Sequence, residues 1–139
     1  MKRAVIILWH WATVIMVLVL TKGGATAEAI QWAFALIAIS WSGIALTTGL
    51  AARPGPKLQG VFRSAFPWMH RGMYLVMAAT AILTIGALQG WADMATARRA
   101  ILILFVAGIF HGIFHMWRHT ALNDGALRMM TPKIWHKYL

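Results

Sequence analysis

The side chains of this sequence best suited to chemistry are its six histidines, since imidazole nitrogens bind transition metals and exchange protons near neutral pH. Three of them, His111, His115 and His119, recur at every fourth residue in "HGIFHMWRHT". That spacing puts them on one face of a helix, about one turn apart. The sequence before them is apolar, so the pattern predicts metal-ligating groups on a helix in hydrophobic surroundings.

The composition of the 139-residue chain is that of a membrane protein. Hydrophobic residues make up 60% and charged residues 12%, whereas soluble domains have roughly 45–50% and about 25%. The absence of cysteine excludes disulfides, iron–sulfur clusters and thioether-linked haem. The net charge of +10 lies in short runs between apolar segments, which favours membrane anchoring over nucleic-acid binding.

Four apolar segments are long enough to cross a bilayer as helices. They predict an all-α fold, a single membrane domain over residues 1–139 that forms an up-down bundle of four transmembrane helices. The predicted helices cover residues 4–21, 29–52, 67–88 and 100–117, and residues 121–139 form an amphipathic basic tail at the interface. The first segment lacks a small-residue cleavage site, so we interpret it as a retained helix rather than a signal peptide.

The distribution of lysine and arginine predicts the orientation of the helices. The N-terminus, the loop between the second and third helices, and the tail together carry ten basic residues. The two opposite loops carry Lys22, Arg98 and Arg99, diluted by Glu28 and Asp93. We therefore expect both termini to face the cytoplasm.

Two histidines lie deep in predicted helices at matching levels. His10 follows Ala4 by six residues and His111 precedes Trp117 by six, so each lies about 9 Å from the cytoplasmic boundary. Two neutral imidazoles on different helices at equal depth are what a six-coordinate b-type haem requires. His10 and His111 are therefore the predicted axial ligands of the iron, and the alternative is that either one hydrogen-bonds a neighbouring helix.

The other polar groups in the cytoplasmic half of the predicted bundle are expected to lie nearer the membrane surface. His70, Arg71, His115 and Arg118 are expected around haem propionates or a quinone pocket, beside the aromatic residues Trp68, Tyr74 or Trp117. His119 and His136 are expected in solvent. Alternatively, His111, His115 and His119 bind zinc or copper through their shared face, although no carboxylate or thiolate nearby completes such a site.

Several short motifs resemble the bacterial cytochrome b561 family, specifically its four-helix superoxide:ubiquinone oxidoreductase type. They are His10-Trp11 in the first helix, "HRGMYLVM" from His70, His111 in the fourth helix, and the ending "WRHTALNDGALRMMTPK". The resemblance spans nearly the whole chain, and the ending is its most specific part. It implies a multi-pass protein of the bacterial inner (plasma) membrane.

Members of that family typically hold two b haems, and the cytoplasmic-side ligands correspond to His10 and His111. The places of the outer ligands are taken here by Gln31 or Trp32 and by Ala97 or Arg98. The resemblance therefore implies a single haem. It also implies an electron carrier that exchanges electrons with a quinone such as ubiquinone, or with a partner redox protein.

Two further hypotheses follow from the missing outer ligands. The chain could be a haem-free accessory subunit of a larger membrane complex, packed through small residues such as "SWSGIALTTG" of the second helix. It could also be a full quinone-linked oxidoreductase whose outer haem has a ligand that sequence patterns do not identify.

Overall fold

The protein is built from four long helices followed by two short ones, and the computed structural model describes residues 3–23, 27–50 and 53–139. All four long helices are long and apolar enough to cross a membrane, and the described residues contain no β-strand. The predicted all-α fold with four transmembrane-length helices is thereby confirmed. The elements are α1 (Arg3–Thr21), α2 (Glu28–Thr48), α3 (Gly60–Gln89), α4 (Met94–Ala121), α5 (Ala126–Met130) and a final 3₁₀ helix (Lys133–Tyr138).

The long helices pack as a ring in chain order, with α1 and α3 each lying against both α2 and α4. Small side chains let the backbones approach, and Ala35, Ala38 and Ala81 are completely buried. The hydroxyl of Thr80 crosses from α3 to α4, donating to the main-chain oxygen of Ala100 at 3.3 Å. The ring brings the inner faces of α1, α3 and α4 towards one another.

The outer faces of the bundle carry large apolar side chains. Leu46 is 85% exposed, Leu75 72% and Phe110 68%. Exposed apolar area on this scale is costly in water and favourable in hydrocarbon. The bundle is therefore apolar outside as well as inside, as expected of helices surrounded by lipid.

Helix α3 begins at Gly60 rather than at Pro67, so this proline lies inside the helix. Proline removes one helical hydrogen bond and costs about 3 kcal/mol in a helix interior. Here two side chains that precede the proline, Leu58 and Phe66, each 1% exposed, hold this part of the chain by packing against the end of α4 and the tail. Tertiary packing therefore outweighs the tendency of Pro67 to mark the start of a helix. As a result, His70 lies further from the start of α3 than expected.

Helix α4 also extends beyond its predicted bounds at both ends. It begins at Met94 because the side chain of Asp93 accepts hydrogen bonds from the backbone N–H groups of Ala95 and Thr96, which is an N-cap. It continues one turn past Trp117 to Ala121. His115 consequently lies inside the helix, well before its last turn.

The three predicted basic segments meet at one end of the bundle. Arg3 of α1 donates to the main-chain oxygen of Arg128 in α5, and the indole of Trp11 donates to Met130 O at 2.9 Å. Lys57, from the loop before α3, donates to Asn123 O at 3.0 Å. The tail is thus held against the bundle by α1 and by this loop.

Candidate metal centre

Three histidines from two helices meet inside the bundle. The ring centroids of His70 and His111 lie 5.0 Å apart, those of His70 and His115 5.4 Å, and those of His111 and His115 4.6 Å. One ligand nitrogen from each ring lies within 4.8 Å of the other two. We call these three residues the histidine cluster.

The spacing of these nitrogens is close to that around a bound transition metal. Metal–imidazole bonds of about 2.0–2.1 Å place two ligating nitrogens about 3.3–4 Å apart, depending on the angle at the metal. Small rotations of the three rings would bring the nitrogens of the histidine cluster to that distance. The arrangement can therefore bind a metal ion that accepts imidazole, such as copper, zinc, iron or nickel.

The ring of His70 is oriented by the backbone of its own helix. Its Nδ1 lies 2.9 Å from the main-chain oxygen of Phe66, one turn earlier. A carbonyl only accepts, so Nδ1 carries the proton and donates, and Nε2 keeps its lone pair. Metal-ligating histidines are usually oriented in this way. His70, which is 6% exposed, is therefore a better-prepared ligand than the sequence indicates.

His10 approaches the same region of the interior from α1. Its ring makes edge contacts with Trp11, at 5.6 Å between centroids, and with Trp41 of α2, at 6.1 Å. It lies within electrostatic range of His111 and His115. The Nδ1 atoms of His10 and His111 are both buried without a hydrogen-bond partner among the described residues.

A buried ion pair lies at the end of this region that is predicted to face the cytoplasm. Arg118 donates through Nε to Oδ2 of Asp124 at 2.7 Å, and Nη2 lies 2.5 Å from the same oxygen. Both side chains are essentially inaccessible, at 1% and 0% exposure. The guanidinium also lies over the ring of Phe66, 4.9 Å from its centroid. Arg118, predicted as a propionate partner, thus uses two of its nitrogens within the protein, and Nη1 is buried without a partner among the described residues.

The remaining predicted site residues lie away from the histidine cluster. Arg71 is exposed and stacks on Trp68, 5.0 Å from the ring centroid, because it follows the inward-facing His70 by one position on the helix. His119 faces the tail, with Nε2 3.2 Å from the oxygen of Leu139. The predicted stripe of three histidines on α4 therefore divides, and His70 of α3 joins His111 and His115 in place of His119.

The two histidines expected in solvent are in fact partly covered by the protein. His119 has a buried Nδ1, and His136 of the 3₁₀ helix lies 3.2 Å from the main-chain oxygen of Thr131. Both are covered because the tail folds back on the bundle rather than lying apart from it.

Two features of this region differ from the prediction made from the sequence. The sequence predicts His70 near the membrane surface, because Pro67 marks the predicted start of the third helix, whereas α3 begins at Gly60. The predicted site does not include Asp124, although it is one of only three acidic residues in the chain and lies six residues after an arginine. A buried arginine next to a membrane helix needs a partner of opposite charge. That requirement is the feature of the sequence that points to Asp124.

No family model, no curated protein and no solved structure matches this chain. Its resemblance to the cytochrome b561 family therefore stays a prediction. The described structure itself supports two coarser statements: the chain has four helices that could span a membrane, and it contains a histidine group that could hold a metal ion.

Proposed function

We propose that the protein is a membrane electron carrier that holds one b haem between His10 of α1 and His111 of α4. The observation that carries the proposal is the pair of buried Nδ1 atoms on these two rings, which have no partner among the described residues. A buried polar atom without a partner costs about 1–3 kcal/mol, and ligation of a haem iron by the imidazole would remove that cost at the nitrogen that binds the iron. The two rings lie on different helices that contact each other, which suits a pair of axial ligands.

The charge of the region favours haem over a bare divalent ion. Three neutral imidazoles leave both charges of a divalent metal uncompensated in a low-dielectric interior, which is strongly unfavourable. The chain has three acidic residues: Asp124 is paired with Arg118, Asp93 caps α4, and Glu28 accepts from Trp32. No side-chain carboxylate remains for the centre. A porphyrin brings two negative charges of its own, so ferrous haem needs none.

The residues around the centre have their own tasks in this proposal. The ring of Trp41 lies edge-on to that of His10, at 6.1 Å between centroids. The buried Arg118–Asp124 pair would exclude water from the end of the bundle that is predicted to face the cytoplasm. Bound haem would supply reversible one-electron transfer, and two protein axial ligands would leave no open position for oxygen. The exchange partner is a quinone or another redox protein, and the setting is the inner membrane of a bacterium with both termini cytoplasmic.

A second candidate is a transition-metal ion bound directly by His70, His111 and His115. The observation that favours it is the 4.8 Å limit on the separations of their ligand nitrogens. The three rings already contact one another, so an ion would require less rearrangement than a macrocycle. The charge argument favours a singly charged ion such as Cu(I) for this candidate.

One purification tests both candidates. Protein isolated in detergent is analysed by a dithionite-reduced visible spectrum, by haem quantitation and by metal content per chain. We expect the α band of a b-type haem at about one haem per chain, lost in His10→Ala and in His111→Ala. His119→Ala is the matched control, since His119 is a histidine of α4 outside the cluster, and it should keep the spectrum.

The other outcomes are equally specific. Copper at one per chain without haem supports the second candidate, whereas two haems per chain refute the single-haem proposal. Loss of haem in His115→Ala but not in His111→Ala would move the ligand by one helical turn. A flat spectrum with no metal, from membranes of haem- and copper-sufficient cells, refutes both candidates and favours a haem-free accessory subunit.

A further inference from the structure

A cavity of about 410 Å³ lies between the first turn of α1 and the tail, well separated in sequence and in lining from the histidine cluster. We call it the tail pocket. Its volume falls within the usual range of ligand sites, about 300–1,000 Å³. Three basic and three apolar side chains line it: Arg3, Arg128, His136, Ile6, Met129 and Met130.

The two guanidinium groups of the tail pocket are held in place by main-chain oxygens. Arg3 uses Nη2 for its contacts with Arg128 O, with Thr131 O at 3.4 Å and with Nε2 of His136 at 3.4 Å. Arg128 donates through Nη2 to the oxygen of Leu139 at 3.0 Å. Bonds to main-chain oxygens orient the arginines, and other N–H groups of each fork remain available.

The tail pocket has no carboxylate side chain to balance this charge. Among the described residues, Asp124 is bound to Arg118 and Asp93 lies beside Arg99 at the opposite end of the bundle. Glu28, the remaining acidic residue, is at that opposite end too and accepts from Trp32. Two arginines and a histidine therefore converge on a pocket that has no acidic side chain and can accept an anion.

We propose that the tail pocket binds the headgroup of an anionic phospholipid. Planar guanidinium forks bind phosphate with strong, charge-assisted hydrogen bonds. Arg3 stands at the beginning of a membrane-length helix, the level at which lipid phosphates lie. Ile6, Met129 and Met130 form the apolar side of the pocket and would contact the glycerol and the start of the acyl chains. Basic pockets of this kind at helix ends are typical headgroup sites.

Binding of defined lipids to the full-length chain in detergent tests the proposal. Phosphatidylglycerol is the probe, phosphatidylcholine is the zwitterionic comparison, and millimolar inorganic phosphate separates a lipid site from a free-anion site. We expect retention of phosphatidylglycerol over phosphatidylcholine in native mass spectrometry at equal concentrations. Arg3→Gln and Arg128→Gln should each weaken its binding about tenfold, since each removes a charge-assisted contact.

The matched control is Lys133→Gln, which removes one positive charge from the same exposed tail without altering the pocket lining. It should bind phosphatidylglycerol within twofold or so of the unaltered chain. Equal retention of the two lipids by the unaltered chain overturns the proposal, and that comparison needs no variant to fold. An equal loss in Lys133→Gln, or saturable binding of phosphate that excludes the lipid, overturns it as well.

Discussion

Arg118 and Asp124 form an ion pair inside the protein, with Nε donating to Oδ2 at 2.7 Å and both side chains almost completely buried. The pair joins the last turn of α4 to Asp124, two residues before α5 begins at Ala126. Oδ1 of Asp124 also accepts from the backbone N–H of Ala126 at 2.9 Å. One carboxylate therefore neutralises a buried arginine and fixes the path by which the tail returns to the bundle.

Removal of this carboxylate should destabilise the protein severely. In Asp124→Ala, the guanidinium of Arg118 stays buried without a counter-charge, and breaking such a pair costs about 3–5 kcal/mol. The loss of stability is measured as the difference in the free energy of unfolding between the two proteins, by denaturant titration in detergent. Arg99→Ala is the control, because the 3.9 Å contact of Arg99 with Asp93 is exposed and such pairs contribute about 0–1 kcal/mol. Similar losses in both variants would contradict the structure.

Gly55 lies directly against the same ion pair, so a side chain at this position would press on two buried charged groups. A Cβ at this position would lie 3.0 Å from Nη2 of Arg118 and 3.0 Å from Oδ2 of Asp124. We expect Gly55→Ala to cost about 1–3 kcal/mol through overpacking.

The control for Gly55→Ala is Gly72→Ala, where a Cβ meets no atom within 4 Å. That change should be neutral or stabilising by up to about 1 kcal/mol, because alanine favours the helix. A double-variant cycle between Gly55→Ala and Asp124→Ala adds a second test. The two losses should be clearly non-additive, since both act on one contact.

His70 separates the two candidate centres. Its lone pair at Nε2 is oriented by the bond from Nδ1 to Phe66, which serves an ion but is not needed for a haem held by His10 and His111. We expect His70→Ala to keep most of the b-type spectrum and to abolish binding of Cu(I) if the ion is the true occupant. Visible spectra and metal analysis of the same samples measure the haem content and the copper content. Simultaneous loss of haem in His70→Ala, with the helical content unchanged, would show that His70 itself takes part in holding the haem.

Asp93 should stabilise α4 in a pH-dependent way. Hydrogen bonds from the backbone of Ala95, and then from Thr96, lower the pKa of Asp93 below its ordinary value of about 3.8. A lowered pKa means that the contribution is fully present above that ordinary value and is lost as the pH falls through the pKa of the folded state. The stability difference between the unaltered chain and Asp93→Ala should be constant near neutral pH and shrink in acid. A difference that grows in acid would contradict the capping role.

Much of the architecture was predictable because membrane helices are specified locally. A bilayer demands about 20 apolar residues per helix and full backbone hydrogen bonding, so four helices could be read directly from hydropathy. The ends of α3 and α4 could not be predicted from hydropathy, since they depend on contacts with residues distant in the sequence. Leu58 and Phe66, which both precede Pro67, hold the start of α3 by packing on Phe114, Leu122 and Met130, and the local sequence does not identify those partners.

The candidate site divides in the same way. Sequence alone determined that histidines face the interior of a membrane bundle, because residue type and helical spacing are local properties. Only the tertiary structure decided which of them meet: His70 joins His111 and His115, His119 faces the tail, and Arg118 is bound by Asp124. The physical reason is that meeting points depend on the rotation and relative height of packed helices, which hydropathy constrains weakly. A shift of one helical turn, about 5.4 Å, exchanges one histidine for another.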